Sequence, residues 1–158
     1  MEGARPARRE DAERCAELCR QALEGLQQQR GGSLLARRET GTVAKALLRP
    51  GGLDALTAAP RRRVLVGTID EAVVGLAIGH VDEVGEASLG IVDGCYVEPE
   101  ARGVGVGRAL LDGLVDFFQS SACRGIDAGA LPGDRRTKNF FEAAGFKARL
   151  LTLHRPIE

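Results

Sequence analysis

The segment Arg102–Arg108 has the residue types and spacing to bind a phosphate group. It begins and ends with arginine and places glycine at Gly103, Gly105 and Gly107. Because glycine has no Cβ, it permits positive φ angles and close approach of a ligand, so successive N–H groups can converge on an anion. The helix expected to follow adds unpaired N–H groups and the positive end of its dipole. The segment therefore predicts a site for a pyrophosphate-bearing cofactor.

The dinucleotide-binding fingerprint G-x-G-x-x-G is the first alternative for this segment. Gly103 and Gly105 fit its first two positions, and Asp127 follows at about the expected 20 residues. The third position is Arg108, where helix-to-strand packing requires Gly or Ala, and the roughly fifty residues that remain are too few for repeated βαβ units. The P-loop pattern ending in Gly-Lys-Ser/Thr is absent. Both nucleotide-binding alternatives are disfavoured.

The segment does match Arg/Gln-x-x-Gly-x-Gly/Ala, as Arg102-x-x-Gly105-x-Gly107, after a strand-like run that ends in Tyr96–Pro99. A second stretch, Lys138–Phe146, contains the pair Phe140-Phe141 and ends in Gly-Phe. Together these stretches resemble the acetyl-CoA loop and the last helix of the GCN5-related N-acetyltransferases (GNAT). The resemblance extends over essentially the whole chain, and we interpret residues 1–158 as one GNAT-like domain.

The resemblance implies an α/β fold with a central twisted mixed sheet, one splayed pair of strands, and helices on both faces. The residue pattern agrees with this acyl-CoA N-acyltransferase fold. A short strand is expected at 3–6, a helix capped by Asp11, and a second helix that begins near Thr42 and is stopped by Pro50. Residues 53–60 are ambiguous between a loop and a helical turn. Three β-rich runs at 63–69, 72–81 and 87–97 predict an antiparallel meander with a hairpin turn at Asp70-Glu71.

After the glycine segment, the pattern predicts an amphipathic helix and then a fifth strand at 125–131. A strand joined through a helix is expected to be parallel to the third run of the meander. Asp134 is the expected N-cap of the last helix and Gly145 its C-terminal stop. Residues 146–155 are expected to close the sheet as a final strand.

The resemblance also implies acetyl-CoA as the cofactor, with its pantetheine arm in the gap between the splayed strands. Gly94 indicates a bulge or a close backbone approach there, although ordinary strand pairing stays open as an alternative. The expected cofactor-binding residues are Tyr96, Val97, Arg102, Gly103, Val104, Gly105, Val106, Gly107, Arg108, Asn139 and Phe141.

The implied reaction is direct attack of an amine on the acetyl thioester, without a covalent enzyme intermediate. It requires a proton acceptor for the amine and an N–H donor for the oxyanion, for which we expect Val97. The usual glutamate position of the family falls on Ile91, so Asp93 is the first candidate for the base, and Glu86 and His80 stay open.

The last helix departs from the family pattern at Phe141, where many relatives carry a tyrosine that protonates the departing thiolate. A phenyl ring donates no proton. Asp134 likewise replaces a frequent asparagine, for which Asn139 is a substitute. Two function classes follow: an acetyl-CoA-dependent N-acetyltransferase acting on a primary amine, or a catalytically weak or inactive acetyl-CoA-binding sensory domain of the same fold.

Composition limits the partners. The chain has 22 Lys+Arg and 22 Asp+Glu, so neither nucleic acid nor a membrane surface is indicated as a partner. The N-terminus has no apolar core, and the four cysteines lack metal-ligand spacing, so we expect a cytoplasmic protein without a metal. The expected partner is a small-molecule or peptide amine, and a homodimer is compatible with the sequence. The sequence does not identify the amine.

Overall fold

A computed structural model describes all residues, 1–158. A five-stranded sheet is its centre, with the strands in the order β1-β2-β3-β4-β5. Neighbouring strands from β1 to β4 are antiparallel, and β5 is parallel to β4. The mixed sheet and the parallel fifth strand are therefore confirmed. The strands are β1 (Glu2–Pro6), β2 (Arg62–Ile69), β3 (Ala72–Val84), β4 (Ala87–Val97) and β5 (Cys123–Ala128).

The helices lie between β1 and β2, between β4 and β5, and after β5. They are α1 (Ala12–Gln27), α2 (Gly32–Arg37), α3 (Gly41–Leu48), α4 (Gly52–Ala58), α5 (Val106–Ser120) and α6 (Arg135–Ala143). The sequence analysis misses α2, and the ambiguous residues 53–60 contain most of α4. No helix is both long and apolar enough to cross a bilayer.

The β2–β3 hairpin turns at Asp70 and Glu71, as predicted. Their φ angles are 46° and 73°, the left-handed values that a two-residue hairpin turn requires at both central positions. This turn fixes the register of β2 against β3, with a bulge between Gly67 and Thr68. The meander then continues through β3 and β4 to the glycine segment.

The sheet separates two apolar cores. Leu18 of α1 and Leu47 of α3 pack against Val66 and Leu76 on one face. On the other face, α5 packs its buried apolar side on the strands, so helices on both faces are confirmed. It lies very close to β2 and β4: a Cβ added to Gly90 would lie 2.6 Å from the Phe118 ring. This contact holds α5, and hence its N-terminus, at a fixed position relative to β4.

The predicted final strand at 146–155 is wrong. Residues 147–158 form no strand and no backbone hydrogen bond, and Leu151 and Leu153 are 74% and 85% exposed. The segment contacts β5 through an ion pair between Arg149 and Asp127. Alternating apolar residues show that a segment suits a pleated surface, and they do not establish that it pairs with an edge.

Candidate functional site

The connection from β4 to α5 has the backbone of an anion-binding loop. A short 3₁₀ turn, Pro99–Ala101, leads into it, and α5 begins at Val106. Gly103 and Gly105 have φ angles of 87° and 102°, which L-residues with a Cβ rarely adopt. Gly107 lies inside the helix, and a Cβ there would come within 3.2 Å of the Phe140 ring. Two glycines thus shape the loop, and the third makes room for α6.

The N–H groups of six consecutive residues, 103–108, have no acceptor in the protein. The first backbone donor after Arg102 that finds a partner is Ala109, which donates to the Gly105 carbonyl at 3.0 Å. No side chain accepts from the six groups either. Three of them are the first turn of a 15-residue helix, where the helix dipole adds positive potential. A row of free donors at this place is suited to a phosphate or pyrophosphate.

The two arginines beside the loop have different surroundings. Arg102 donates from Nε to the Val97 carbonyl at 2.6 Å and lies 5.4 Å from the Tyr96 ring centre. It therefore braces the end of β4. Arg108 is exposed and forms an ion pair with Asp112 one turn along α5, at 2.9 Å. Both remain at the loop with further guanidinium N–H groups beyond these contacts.

β4 and β5 separate before β4 ends. Their paired residues run from Ser88–Cys123 to Val92–Ala128, while β4 continues to Val97. On the other side of β4, the pairing with β3 shifts between Ile78 and Gly79, so that Asp93 is an extra residue in β4. This is a bulge, and it directly follows the last residue that pairs with β5. The splayed strand pair expected from the sequence is present.

The bulge determines which backbone groups face the gap. Glu98 N–H donates to the Val74 carbonyl at 3.0 Å, so Glu98 directs its backbone towards β3. Since this direction alternates along an antiparallel strand, Tyr96 also faces β3, whereas Cys95 and Val97 face the gap. No strand pairs with Cys95 or Val97 on that side. Main-chain groups are therefore free at Val97 and Cys95, whereas the backbone of Tyr96, a predicted cofactor-binding residue, faces β3.

The side chain of Tyr96 lies on the α1 side of the sheet. Its hydroxyl donates to Gln21 Oε1 of α1 at 3.1 Å. The turn after α1 reaches the segment after β5, because a Cβ added to Gly31 would lie 3.5 Å from Leu131 Cδ2. An added Cβ at Gly94 would meet nothing within 4 Å. Open space thus lies on the α1 side of β4, beside the bulge.

α6 packs beside the loop. Asp134 caps it by accepting from Thr137 N at 3.1 Å, as predicted, and Gly145 follows its end with a φ of 94°. Phe141 is 8% exposed in the α5-side core, with ring centres 5.2 Å from those of Phe140 and Phe146. Asn139 is exposed on the same helix. Phe141, the position at which the family pattern has a tyrosine, thus lies in a cluster of phenyl rings.

Asp93 is the centre of a buried charge cluster on three adjacent strands. Its carboxylate lies 3.0 Å from Arg62 Nη1 and 2.9 Å from His80 Nδ1, and its side chain is 6% exposed. Burial raises the pKa of Asp93, while His80 and Arg62 oppose the rise by stabilising the charged form. The sequence analysis named Asp93 and kept His80 open, but it missed Arg62. No periodicity identifies such a cross-strand group before the register is known.

Glu86, another candidate for the base, lies far from the gap between β4 and β5. Glu86 lies in the exposed turn between β3 and β4, and eight strand residues, roughly 26 Å, separate Ala87 from Cys95. Glu86 therefore does not belong to the site.

The thiol of Cys95 packs with the α5-side core, and burial raises its pKa to about 12, so it is protonated at neutral pH. A neutral thiol is a poor nucleophile, in agreement with the expectation that no cysteine intermediate is required.

Comparisons with known proteins agree with this geometry. Residues 37–146 match the acetyltransferase (GNAT) family, and the chain belongs to that family. The chain is 29% identical over 93 residues to an aminoglycoside N(6')-acetyltransferase type 1 from Stenotrophomonas maltophilia. That match covers 58% of this chain and 61% of the relative, so the chain spans less than two thirds of the length of the curated relative it matches.

Solved structures share the fold at low sequence identity. AAC(6')-Iy in complex with a CoA-S-monomethyl-acetylneamine bisubstrate analogue aligns with a TM-score of 0.73 and 16% identity, over 99% of both chains. A transcriptional regulator from Bacillus halodurans aligns with a TM-score of 0.75 and 17% identity, over 99% of this chain and 100% of that one. A soil-metagenome aminoglycoside acetyltransferase in complex with sisomicin gives 0.69 and 15%, over 99% and 97%. Similarity at this level shows the fold alone.

Proposed function

We propose that this protein is an acetyl-CoA-dependent N-acetyltransferase that acetylates a primary amine of a small molecule. One observation carries the proposal: six free N–H groups at residues 103–108 lie at the end of a strand whose Cys95 and Val97 amides are also free. The first set fits a pyrophosphate and the second fits an extended chain of amides. Acetyl-CoA has both parts, in that order, before its thioester. Membership of the acetyltransferase family supports this choice over a simple phosphate ligand.

The residues present fit this ligand. Above the loop, the open position at Gly103 leaves room for phosphate oxygens, since an added Cβ there would meet nothing within 4 Å, and at Gly105 only the side chain of Glu2 lies within that distance. In the gap, the pantetheine arm takes the place of a strand beside β4 and bonds to Cys95 and Val97. Arg102, Arg108 and Asn139 add polar groups at the rim, and Phe140 and Phe141 give the arm an apolar wall.

The reaction follows from these placements. The amine nitrogen attacks the thioester carbonyl carbon, so a C–N bond forms, and the carbonyl oxygen becomes an oxyanion that accepts from a free amide of Cys95 or Val97. The oxyanion then collapses and the C–S bond breaks. The amine loses its proton on the Asp93 side of β4, and water protonates the departing thiolate, because Phe141 carries no proton.

For the acceptor, we propose an aminoglycoside or a similar polyamine. The similarity to aminoglycoside acetyltransferases supports this class. Tyr96 also faces the acceptor side of the sheet: burial raises the pKa of its hydroxyl, Arg102 opposes this rise, and Glu98 and Glu24 add smaller increases.

The test combines binding and turnover. We expect acetyl-CoA to bind in a calorimeter and free thiol to accumulate when an aminoglycoside or another amine from a panel is added. Failure to bind acetyl-CoA would refute the proposal. Binding without thiol release across the panel would instead support a non-catalytic acetyl-CoA sensor, the second candidate, which the absence of a tyrosine at Phe141 favours.

A further inference from the structure

Two side chains of α1 contact the residues on either side of Val97. Gln21 Oε1 accepts a hydrogen bond from the hydroxyl of Tyr96 at 3.1 Å. Nη2 of Arg14 lies 2.5 Å from Oε2 of Glu98. Arg14 and Gln21 are separated by close to two full turns of the helix, so both project from the same side of α1. One helix thus holds the residue before Val97 and the residue after it.

The guanidinium of Arg14 also reaches β3. Its Nε donates to the Val73 carbonyl at 2.8 Å, and its Nη1 lies 3.1 Å from Glu17, one turn along α1. The side chains of Arg14 and Glu98 are 28% and 19% exposed, so their ion pair is only partly open to water. The planar fork of an arginine can serve these three acceptors at once. Arg14 therefore joins α1, β3 and the residue that follows β4.

The remaining backbone groups next to Val97 are also held. Arg102 Nε donates to the Val97 carbonyl at 2.6 Å, and its guanidinium lies 5.4 Å from the ring centre of Tyr96. Glu98 N–H donates to the Val74 carbonyl at 3.0 Å. The Val97 N–H group faces the gap, and no strand pairs with it there. This donor is therefore fixed by its neighbours and free for a ligand.

A fixed donor is worth more to a ligand than a mobile one. An oxyanion or an amide carbonyl gains most from an N–H group that does not have to reorganise on binding, because ordering a mobile backbone opposes binding. The phosphate loop depends on other contacts. Residues 103–108 lead directly into α5, which packs on the sheet, and Arg14 forms no hydrogen bond or ion pair with any of them. The two parts of the cofactor site are thus held by different elements.

We propose that Arg14 is a positioning residue, which acts through Glu98 to hold the Val97 amide in place for the pantetheine arm or the thioester of acetyl-CoA. Gln21 supports the same amide through Tyr96. The inference rests on the proposed function and adds α1 to the elements that shape the cofactor site. Losing either contact weakens binding of the part of the cofactor beside β4, and it leaves binding of the pyrophosphate in place.

The test compares acetyl-CoA with ADP, which has the pyrophosphate and lacks the pantetheine arm. Arg14→Met keeps the apolar stem of the side chain and removes its polar contacts. In calorimetric titrations, acetyl-CoA affinity should fall about fivefold, the loss expected for one hydrogen bond, and ADP affinity should stay within about twofold. A purely structural role of Arg14 would not distinguish the two ligands.

Arg5→Met is the matched control. Arg5 forms an ion pair with Asp11 at 2.8 Å, with side chains 27% and 6% exposed, and it joins β1 to the residue that precedes α1. The control should lower Tm and keep the parent affinity for both ligands. An equal loss of acetyl-CoA affinity in Arg5→Met would show that any loosening of α1 has this effect, and it would overturn the inference.

Gln21→Met provides a second variant, at a half-buried position of α1. It should weaken acetyl-CoA binding about threefold and leave ADP binding unchanged. Unchanged acetyl-CoA affinity in either folded variant would overturn the inference, and so would an equal loss for both ligands. If Arg14→Met does not fold, Gln21→Met alone decides. A parent protein that binds acetyl-CoA but acetylates no amine would refute the proposed function alone, since the comparison of ligands needs no turnover.

Discussion

Replacing Gly105 by aspartate should weaken phosphate binding while the protein stays folded. Gly105 precedes α5 with a φ of 102°, and the nearest atom to an added Cβ is Cγ of Glu2, at 3.6 Å. No backbone atom lies within 4 Å of that Cβ position. The variant therefore fits sterically, and its cost to stability is the left-handed backbone, about 1–2 kcal/mol. Such a loss lowers Tm by a few degrees and leaves the protein folded.

The effect on CoA affinity is larger and has a separate cause. A carboxylate roughly 5 Å from a phosphate is repelled by about 1–3 kcal/mol, for effective dielectric constants between those of water and a protein surface. This corresponds to a loss of roughly 5- to 150-fold in affinity. Gly105→Ala has the same backbone strain without the charge. We therefore expect the aspartate variant to bind CoA at least about fivefold more weakly than the alanine variant.

Calorimetry with CoA at low and high salt measures this difference, and thermal melts report folding. Gly85→Asp is the matched control: Gly85 has a φ of 62°, nothing lies within 4 Å of its added Cβ, and it lies in the remote β3–β4 turn. It should lose stability similarly and keep the parent affinity. Equal CoA affinity in folded Gly105→Asp and in the parent would refute the assignment of the loop to phosphate.

Three further predictions concern the loop, the thiolate and stability. Glu2→Gln should raise CoA affinity about threefold at low salt and little at high salt, because a carboxylate that reaches the Gly105 position repels phosphate; unchanged calorimetric titrations would contradict this. Phe141→Tyr should raise kcat about tenfold or more by offering a phenol proton to the thiolate, and steady-state kinetics with an unchanged kcat would show that water suffices. Asp11→Asn should cost about 1.5–3 kcal/mol in chemical denaturation, because Asp11 is 5% exposed and accepts two hydrogen bonds from Arg5. Since Arg5 lowers the folded-state pKa of Asp11, this stability is present above about pH 4 and is lost as the pH falls through the lower folded value, so the two proteins should converge in acid.

Most elements of the fold could be predicted from the sequence because each has a local cause. The left-handed pair Asp70 and Glu71 connects two β-rich runs, Asp134 caps α6, and Gly103 and Gly105 occupy positions that need positive φ. In each case, the residue type and its neighbours decide the backbone conformation. The conformation of the loop that we assign to phosphate was predicted for the same reason, since the residues that form it are contiguous.

The predicted final strand and the buried charge cluster lack such a local cause. Residues 146–155 have the alternation of a strand, but pairing also depends on an edge elsewhere in the chain, and these residues do not pair with the outer edge of β5. The cluster of Arg62, His80 and Asp93 joins three strands whose register follows from the Asp70 turn and from a bulge. Asp93 was found because it lies on the strand of the glycine loop. Its partners are separated from it in sequence, and only the register brings them together.

The bulge at Asp93 links the two halves of the candidate site. Before it, Val81 N–H donates to the carbonyl of Arg61, which directly precedes β2, so His80 and Ile91 face each other across β3 and β4, and Val92 faces β5. After it, the alternation is reversed. If β4 kept a regular alternation through Asp93, Tyr96 would direct its backbone into the gap, and the amides of Cys95 and Val97 would be used in pairing with β3. One inserted residue thus frees the two amides that we assign to acetyl-CoA, and it also places Asp93 and Gly94 on the same face of the sheet, where the charge cluster adjoins open space. The gap beside β4 and the buried charge cluster are two consequences of one irregularity in this strand.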